Sequence, residues 1–340
     1  MDEEIATISM ACPHVLLLGA GASKAALPNG DKNGRSVPVM RDIADELNLT
    51  QLFPGDLKEL AGTDFESAYS RMFERHDAGL DELDRRIARY FKRLELPDGP
   101  NPYDYLHLCL RDKDAIFTFN WDPFLVQSRI RLAALGVSKF PKLFFLHGNV
   151  RIGFCVRDAT SGIAGRPCSQ CREPFVPSNL LFPVEKKNYQ ADPLIVREWA
   201  AARYFLKNCF MFTVFGYSAP KTDLDAISLL KGAWGDVQKR QMEQTEIINR
   251  PGSDHEALRE TWDPFIHTHH YEIHDSFFES WLAMHPRRSG EAYRNQYIEA
   301  RFIADNAVPQ GVTELEELVA WFRPLLDVEF AQESTSSAES

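Results

Sequence analysis

The sequence predicts an α/β fold, a Rossmann-like parallel sheet flanked by helices, with a small irregular insert and helical additions. Two observations predict it. Short, continuously apolar runs recur along the chain, and each ends in a polar or glycine-containing turn, which is typical of parallel strands that are covered on both faces. Helical periodicity lies between some of these runs, as the connections of a parallel sheet require.

The apolar runs predict strands at residues 14–18, 115–119, 142–146, 210–215 and 245–249. Helices are predicted at 39–49 and 65–94, the second with Phe73 among its core contacts. We expect one domain over residues 1–330. It would contain a helical insert at about 40–96, a cysteine-containing module at about 151–190 and a helical C-terminal part at about 274–326. The polar residues 331–340 are expected to form a disordered tail.

Composition excludes several classes of function. The chain has 44% hydrophobic and 26% charged residues, as in globular proteins. No apolar run reaches the roughly 18–20 residues that span a bilayer. The acidic start, Met1-Asp2-Glu3-Glu4, is unlike a signal peptide, so we expect no membrane contact and a cytoplasmic location. The net charge of −11 argues against extensive nucleic-acid binding.

Paired basic residues and cysteines are two further local features of the sequence. Three basic pairs could form a local patch or occupy solvated positions: Arg85-Arg86, Lys186-Lys187 and Arg287-Arg288. Six cysteines in a chain of 340 residues do not suggest a disulfide scaffold. In a cytosolic protein, clustered cysteines are interpreted first as metal ligands.

A glycine turn follows the first predicted strand. Glycines permit a tight turn and close backbone approach, and free amides at the start of the next helix can hold a phosphate. The turn comprises Gly19, Ala20, Gly21, Ala22 and Ser23. Lys24 and Ala25 stand where the usual third glycine would fall. The turn therefore predicts either a dinucleotide cradle or a plain strand-to-helix connection.

Polar residues follow the next two strands. Thr118, Asn120 and Asp122 end the second, and His147 follows the third. Because ligands of open parallel sheets bind at the carboxyl edge, these side chains are expected to face one crevice. Taken singly, such a histidine is more often structural, and such an Asn-X-Asp is usually a turn or a helix cap.

Taken together, the motifs resemble those of the sirtuin superfamily over most of residues 13–275. The glycine turn is similar to that family's first NAD-binding motif, and 118–122 is similar to its Thr-Gln-Asn-Ile-Asp motif with two aromatic replacements. His147-Gly148 matches the family's catalytic pair. The resemblance also implies NAD contacts from Gly216 and Ser218 in a later loop and from Asn249 at a strand end.

The sequence departs from the deacetylases after the glycine turn, where they usually carry an Asp-Phe-Arg loop. Asp31 and Arg35 are the only candidates there to contact the cofactor. The resemblance is closer to divergent bacterial relatives, which are often NAD hydrolases that deplete the cofactor during phage infection. It therefore implies an NAD glycohydrolase. The alternatives are an NAD-dependent protein deacylase and a non-catalytic sensor of NAD or ADP-ribose that controls a partner.

Cleavage of the nicotinamide–ribose bond would use Asn120, His147 and Asp122. An Asn120 amide could hydrogen-bond a ribose hydroxyl or a water at the reacting carbon. His147 could accept a proton, since its reference pKa lies near neutrality. Asp122 could orient the carboxamide or stabilise developing positive charge.

A structural Zn²⁺ site is implied in the cysteine module, where sirtuins commonly carry two Cys-X-X-Cys pairs. The candidate ligands are Cys155, Asp158, Cys168 and Cys171, with Asp158 replacing one cysteine. Zinc accepts carboxylate ligands. The alternative is a relic with free cysteines. Residues 267–270, three of them histidines, are predicted to continue a strand rather than bind metal.

Control of such an enzyme is also expected, because constitutive NAD hydrolysis would be toxic. We expect a homo-oligomer, a partner ATPase or a phage-derived trigger, by analogy with relatives. The helical insert and the C-terminal helices are the candidate contact surfaces.

Overall fold

The computed structural model describes residues 10–184, 189–190, 192–219 and 223–336. Lys186-Lys187, one of the basic pairs, lies outside the described residues, as do residues 337–340 of the predicted tail. The strands are β1 His14–Leu18, β2 Ala115–Thr118, β3 Lys142–Phe145, β4 Ile152–Cys155, β5 Thr160–Ile163, β6 Val176–Pro177, β7 Met211–Phe215, β8 Gln244–Ile248 and β9 Tyr271–His274.

The helices occur between and after these strands. In chain order they are α1 Ala20–Ala26, α2 Ile43–Glu46, α3 Lys58–Thr63, α4 Phe65–Glu74, α5 Leu80–Lys92, α6 Pro102–Cys109, α7 Phe124–Ala134, α8 Pro193–Asn208, α9 Leu224–Trp234, α10 His255–Trp262, α11 Trp281–Met284, α12 Ser289–Tyr293 and α13 Leu315–Ser336. Within the described residues, no helix is both long and apolar enough to cross a membrane.

Six strands form one parallel sheet in the order β3-β2-β1-β7-β8-β9. This confirms the predicted α/β class. The chain moves outward from β1 through β2 to β3, and later returns to the opposite side of β1 with β7. The connection after β1 therefore runs to one side of the sheet, and the connection after β7 runs to the other side. The gap between the carboxyl ends of β1 and β7 is the topological switch point, where open sheets form a ligand crevice.

Apolar side chains cover both faces of this sheet, as the continuous apolar runs require. Leu16 and Leu18 belong to a core that includes the helical insert and α13. Val15 and Leu17 belong to a second core with α8, α9 and α10. Because neighbouring residues of a strand point to opposite faces, β1 contributes to both cores.

The helical regions are more broken than their periodicity suggests. The predicted helix 39–49 is reduced to α2, and the predicted helix 65–94 is interrupted between α4 and α5. His76 lies at the interruption with φ 54°, a left-handed conformation that a helix does not continue through. Phe73, predicted to contact the core, is 45% exposed.

Three further expectations differ from the structure. The module at 151–190 contains a small antiparallel sheet in the order β5-β4-β6 rather than only irregular chain. Residues 267–270 form a turn closed by the bond from His270 N to His267 O (2.9 Å), and β9 begins after it. Helix α13 continues to Ser336, into the segment expected to be disordered.

Arg287 and Arg288 are buried, which corrects the interpretation of this pair as solvated. Arg287 Nε and Nη2 each donate to Glu329 at 2.6 Å, and its Nη1 donates to the Leu108 and Leu110 carbonyls at 2.9 Å. Arg288 Nη1 lies 3.4 Å from the same carboxylate. Arg287 therefore fastens α13 to the end of α6, through its bidentate ion pair with Glu329 and its bonds to the two carbonyls.

We expect Glu329→Gln to lower the free energy of unfolding by about 3 kcal/mol, because it leaves buried guanidinium groups without their countercharge. Urea denaturation followed by circular dichroism measures the loss. Glu316→Gln, on the exposed side of the same helix, should stay within about 0.5 kcal/mol of the unmodified chain. Equal midpoints for the two variants would contradict the role given to Glu329.

Candidate functional site

A cavity of about 880 Å³ opens at the carboxyl edge of the sheet. Its lining includes a residue from the end of each of five strands: Gly21 after β1, Asn120 after β2, His147 after β3, Gly216 after β7 and Asn249 after β8. This is the size of pocket that takes a cofactor or a drug-sized ligand. The sequence-predicted residues that line it are Ala20, Gly21, Ser23, Asn120, Asp122, His147, Gly216, Ser218 and Asn249.

The glycine turn is held against the loop after β7. Gly19 N donates to Phe215 O (3.0 Å), and Gly21 N donates to Gly216 O (2.9 Å). A Cβ at Gly19 would lie 2.6 Å from Gly216 O, and one at Gly21 would lie 2.7 Å from the same atom. The glycines are thus required for contact between two loops, and those two amides are not free for a phosphate.

Ser23 is the centre of a buried hydrogen-bond network. Its Oγ donates to Asp122 Oδ2 (2.6 Å) and accepts from Asn120 Nδ2 (2.9 Å). Tyr103 Oη lies 2.6 Å away. Since the single proton of Ser23 goes to the Asp122 carboxylate, Tyr103 is the donor of its bond. One hydroxyl therefore fixes two of the predicted catalytic side chains.

The orientation of Asn120 follows from this network. Its Nδ2 donates to Gly19 O and to Ser23 Oγ, both at 2.9 Å. Because an amide nitrogen carries two protons, both donors are used. The atom that Asn120 keeps for a ligand is its acceptor, Oδ1, which suits a water or a hydroxyl that donates.

Asp122 is buried at 5% exposure. Burial raises the pKa of this carboxyl from 3.8 to about 6, although bonds from Ser23 Oγ and Phe124 N act in the opposite direction. Its backbone is fixed as well, since Asn149 Nδ2 donates to Asp122 O at 2.6 Å. A carboxyl with this pKa changes charge close to neutral pH.

His147 lies in an aromatic wall of the cavity. Its ring centroid is 4.5 Å from that of Phe119, which in turn lies 4.6 Å from that of Tyr217. His147 Nε2 is 3.2 Å from Tyr189 Oη. Gly148 has φ 78°, and a Cβ there would lie 2.0 Å from Asn179 O. The turn after His147 therefore requires glycine, and the imidazole is held in one place.

The structure places four of the predicted cofactor-binding residues away from the cavity. Asp31 accepts backbone bonds from Asn33, Arg35 and Glu95. These bonds hold the pKa of its carboxyl below its usual value, although burial alone would raise it. Arg35 Nη1 donates to Asp31 and to Arg93 O. This pair closes a loop and is not on the lining. Gly19 and Thr118 support the lining from behind, with Thr118 Oγ1 accepting from Asn120 N (2.9 Å).

The sequence did not single out the three tyrosines of the site. Tyr103 comes from α6, Tyr189 from the cysteine module, and Tyr217 from the loop after β7, where its hydroxyl donates to Asp223 (3.0 Å). Asp223 lies on the lining and makes no side-chain helix cap. Tyr217 lies within a recognised motif, between Gly216 and Ser218, whereas the sequence spacing gave no signal for Tyr103 or Tyr189.

Charged side chains complete the lining. Lys24, Arg41 and Arg250 supply cations. Acidic side chains are interspersed with them: Asp42, Asp64, Glu66, Asp122, Asp223 and Asp254. Lys24 directly follows the glycine turn and Arg250 directly follows Asn249, whereas Arg41 Nε is paired with Asp42 Oδ1 at 3.0 Å.

The cysteine module brings its four candidate metal ligands together. Asp158 Oδ2 lies 3.4 Å from Cys155 Sγ and 3.3 Å from Cys168 Sγ, and the sulfurs of Cys155 and Cys171 are 3.5 Å apart. Ligands of a tetrahedral Zn²⁺ ion are separated by about 3.3–3.8 Å. Three thiolates and one carboxylate are also donors that zinc accepts, so the cluster fits a structural zinc ion.

The fold and the site together define an open, parallel α/β protein with a ligand cavity at its switch point. No protein-family model matches the chain, and no curated protein matches it. The chain is similar to a solved Sir2 homologue–NAD complex, at 15% identity and a TM-score of 0.38, covering 96% of this chain and 95% of that one. The chain is also similar to a mutant Sir2 homologue in complex with 2′-O-acetyl ADP-ribose. The identity is 13%, the TM-score is 0.40, and the match covers 96% of each chain.

A third similar structure is Sir2 with an inhibitor, 2′-O-acetyl-ADP-ribose and a deacetylated peptide. Its identity is 16%, its TM-score is 0.37, and the match covers 85% of this chain and 94% of that one.

The raised pKa of Asp122 predicts a pH dependence of stability. Between about pH 4 and 6 the folded carboxyl holds a proton that the unfolded chain releases, so the free energy of unfolding falls as pH rises. Asp122→Asn should remove up to about 3 kcal/mol of this fall. Urea titrations at several pH values measure the slope. Asp225→Asn, at an exposed site, should keep it, and an unchanged slope in Asp122→Asn contradicts the assignment.

Cys168→Ser is expected to remove one equivalent of zinc from the purified protein and to lower its melting temperature by several degrees, because a structural ion contributes to folding. Elemental analysis and thermal unfolding measure the two effects. Cys12→Ser, at an exposed cysteine outside the cluster, is the matched control. The same zinc content in all three proteins would show that the cluster holds no ion.

Proposed function

We propose that this protein binds NAD in the cavity and cleaves its nicotinamide–ribose bond, releasing nicotinamide and ADP-ribose. The observation that carries the proposal is the convergence of Asn120, Asp122 and His147 at one edge of the sheet, joined through Ser23 or packed against Phe119. The order of the sirtuin-like motifs along the sequence supports the same ligand.

The cavity supports a dinucleotide by its size and lining. Its volume of about 880 Å³ suits a ligand of that class. Lys24, Arg41 and Arg250 would meet the diphosphate, in place of the Gly19 and Gly21 amides that the neighbouring loop uses. Asn249 and Ser218, on the β7–β8 side, would meet the adenosine ribose, and Asn120 and His147 the nicotinamide ribose.

Asp122, Asn120 and His147 would have different roles in the reaction, set by the charge and hydrogen-bonding capacity of each side chain. Departure of neutral nicotinamide leaves positive charge on the ribose, and the Asp122 carboxylate would stabilise that charge from a buried position. Asn120 Oδ1 would accept a hydrogen bond from the attacking water. His147 would take a proton from that water or from a ribose hydroxyl. The water supplies the oxygen of free ADP-ribose.

The Asp31–Arg35 loop favours hydrolysis over acyl transfer, because it stands where the deacetylases that the sequence resembles usually carry their Asp-Phe-Arg loop. In this chain both residues are engaged in closing their own loop and do not reach the cavity. A deacylase or an NAD sensor remains as an outcome of the experiment below.

We expect purified protein incubated with NAD to release ADP-ribose without any peptide. Asn120→Ala and His147→Ala should each lower the rate by at least about 100-fold, because each removes a group that positions or deprotonates the nucleophile. Chromatography of the products measures the rates. Asn208→Ala and His269→Ala, at exposed positions off the cavity lining, are the matched controls.

Three outcomes would redirect the assignment. Acetyl-ADP-ribose formed only with an acetyl-lysine peptide would make the protein a deacylase. Bound NAD without turnover would make it a sensor. Equal rates in the unmodified chain and in both cavity variants would remove Asn120 and His147 from the chemistry.

Control of the activity is part of the proposal, since unrestrained hydrolysis would exhaust the cell's NAD. We propose that the chain acts in bacterial anti-phage defence and is switched by self-association, by a partner ATPase or by a phage-derived trigger. Exposed apolar side chains after α12 support a contact surface: Tyr297 (59% exposed), Ile298 (38%) and Phe302 (75%). Light scattering and specific activity measured over the same concentration range test self-association. A monomer that is fully active throughout would contradict this control.

A further inference from the structure

A second cluster of metal-ligating side chains lies on the outer two strands of the sheet. In the register of β8 and β9, Glu246 is directly opposite Glu272, and His274 follows on the same face. Like charges placed opposite each other on neighbouring strands destabilise a sheet. Glu246 is fully buried, so this pair of carboxylates needs a positively charged partner, which is either a protonated His274 or a bound cation shared with His274.

Three ligand atoms of the cluster converge. His274 Nε2 lies 3.2 Å from Glu246 Oε1 and 3.5 Å from Glu272 Oε2. All three residues offer atoms within 4.8 Å of one another. Ligand atoms of a tetrahedral zinc ion bound by oxygen and nitrogen are separated by about 3.3–3.6 Å, so the observed spacing suits a shared ion.

Each carboxylate is also held by its other oxygen. Thr213 Oγ1 donates to Glu246 Oε2 (2.7 Å), and the indole Nε1 of Trp281 donates to Glu272 Oε1 (3.0 Å). Trp281 N additionally donates to Glu246 Oε1 (2.8 Å). Metal-binding carboxylates are themselves commonly hydrogen-bonded by outer groups, and these donors hold both carboxylates of the cluster in place.

An unsatisfied buried side chain adjoins the cluster. Gln244 is 2% exposed and lies on the same face of β8 as Glu246. Its Nε2 contacts Glu272 Oε1 (3.3 Å), whereas its Oε1 has no hydrogen-bond partner among the described residues. Rotation of the amide would exchange the two atoms and turn the oxygen toward the cluster, where a cation would satisfy it.

We infer that Glu246, Glu272 and His274 bind a divalent transition-metal cation, with Gln244 Oε1 available as a further oxygen ligand. Two carboxylates and a neutral imidazole carry a charge of −2, which one such ion neutralises. The Glu272 side chain is 32% exposed and provides a path from solvent. None of these residues lines the cavity, so the site is independent of NAD chemistry. A bound ion would join β8, three residues before Asn249, to β9.

The test uses Zn²⁺ and the full chain. After chelation and dialysis, calorimetric titration of Cys168→Ser protein should show one zinc equivalent, because the cysteine cluster no longer competes. Adding Glu272→Gln should abolish that equivalent. Trp281→Phe should weaken it about 10-fold or more, since it keeps every ligand and removes only an outer hydrogen bond. Glu260→Gln, on exposed α10 surface, should leave binding unchanged.

Anomalous diffraction at the zinc edge makes the result independent of how well the variants fold. A peak between Glu246, Glu272 and His274 in zinc-soaked crystals of the unmodified chain is the expected result. The inference is overturned by the lack of a peak there, or by equal zinc affinity in folded Cys168→Ser proteins with and without Glu272→Gln.

Discussion

The cavity depends on how closely two backbone loops approach each other between β1 and β7. Gly19 and Gly21 lie against Gly216 so tightly that a single Cβ would displace the loop after β7. This contact occurs where the strand order reverses, so it sets the floor from which the ligand crevice opens. The Gly216 amide donates in turn to Ile248 O (3.0 Å), which extends the same constraint to the end of β8 and to Asn249.

Ser23 connects this floor to the reactive side chains. Its hydroxyl, one turn into α1, is shared by Asn120, Asp122 and Tyr103. When Asp122 is protonated, its carboxyl can donate to the Ser23 hydroxyl instead of accepting from it. This reversal would alter the hydrogen bond that Asn120 donates to the same hydroxyl. The site is therefore a coupled unit in which the charge of one carboxyl influences the groups around it.

The sequence was informative wherever the cause of a structure is local. The apolar runs predicted five of the six strands of the large sheet, and the rule that ligands gather at carboxyl strand ends brought Asn120, Asp122 and His147 to one cavity. Contacts between distant segments were not predictable. Arg287 looked solvated because its partner, Glu329, is 42 residues away. Tyr103 gave no signal, because its role depends on a serine 80 residues earlier. Asp31 and Arg35 were expected at the cofactor, yet local backbone amides engage the aspartate.

The pairing of β1 has a consequence for how the chain is made. Its neighbours are β2, about a hundred residues later, and β7, about two hundred residues later, with Leu18 opposite both Thr118 and Phe215. During synthesis β1 emerges before its partners, and its edge toward β7 stays open until roughly two hundred further residues have left the ribosome. Such long-range pairing slows folding and exposes an apolar strand meanwhile.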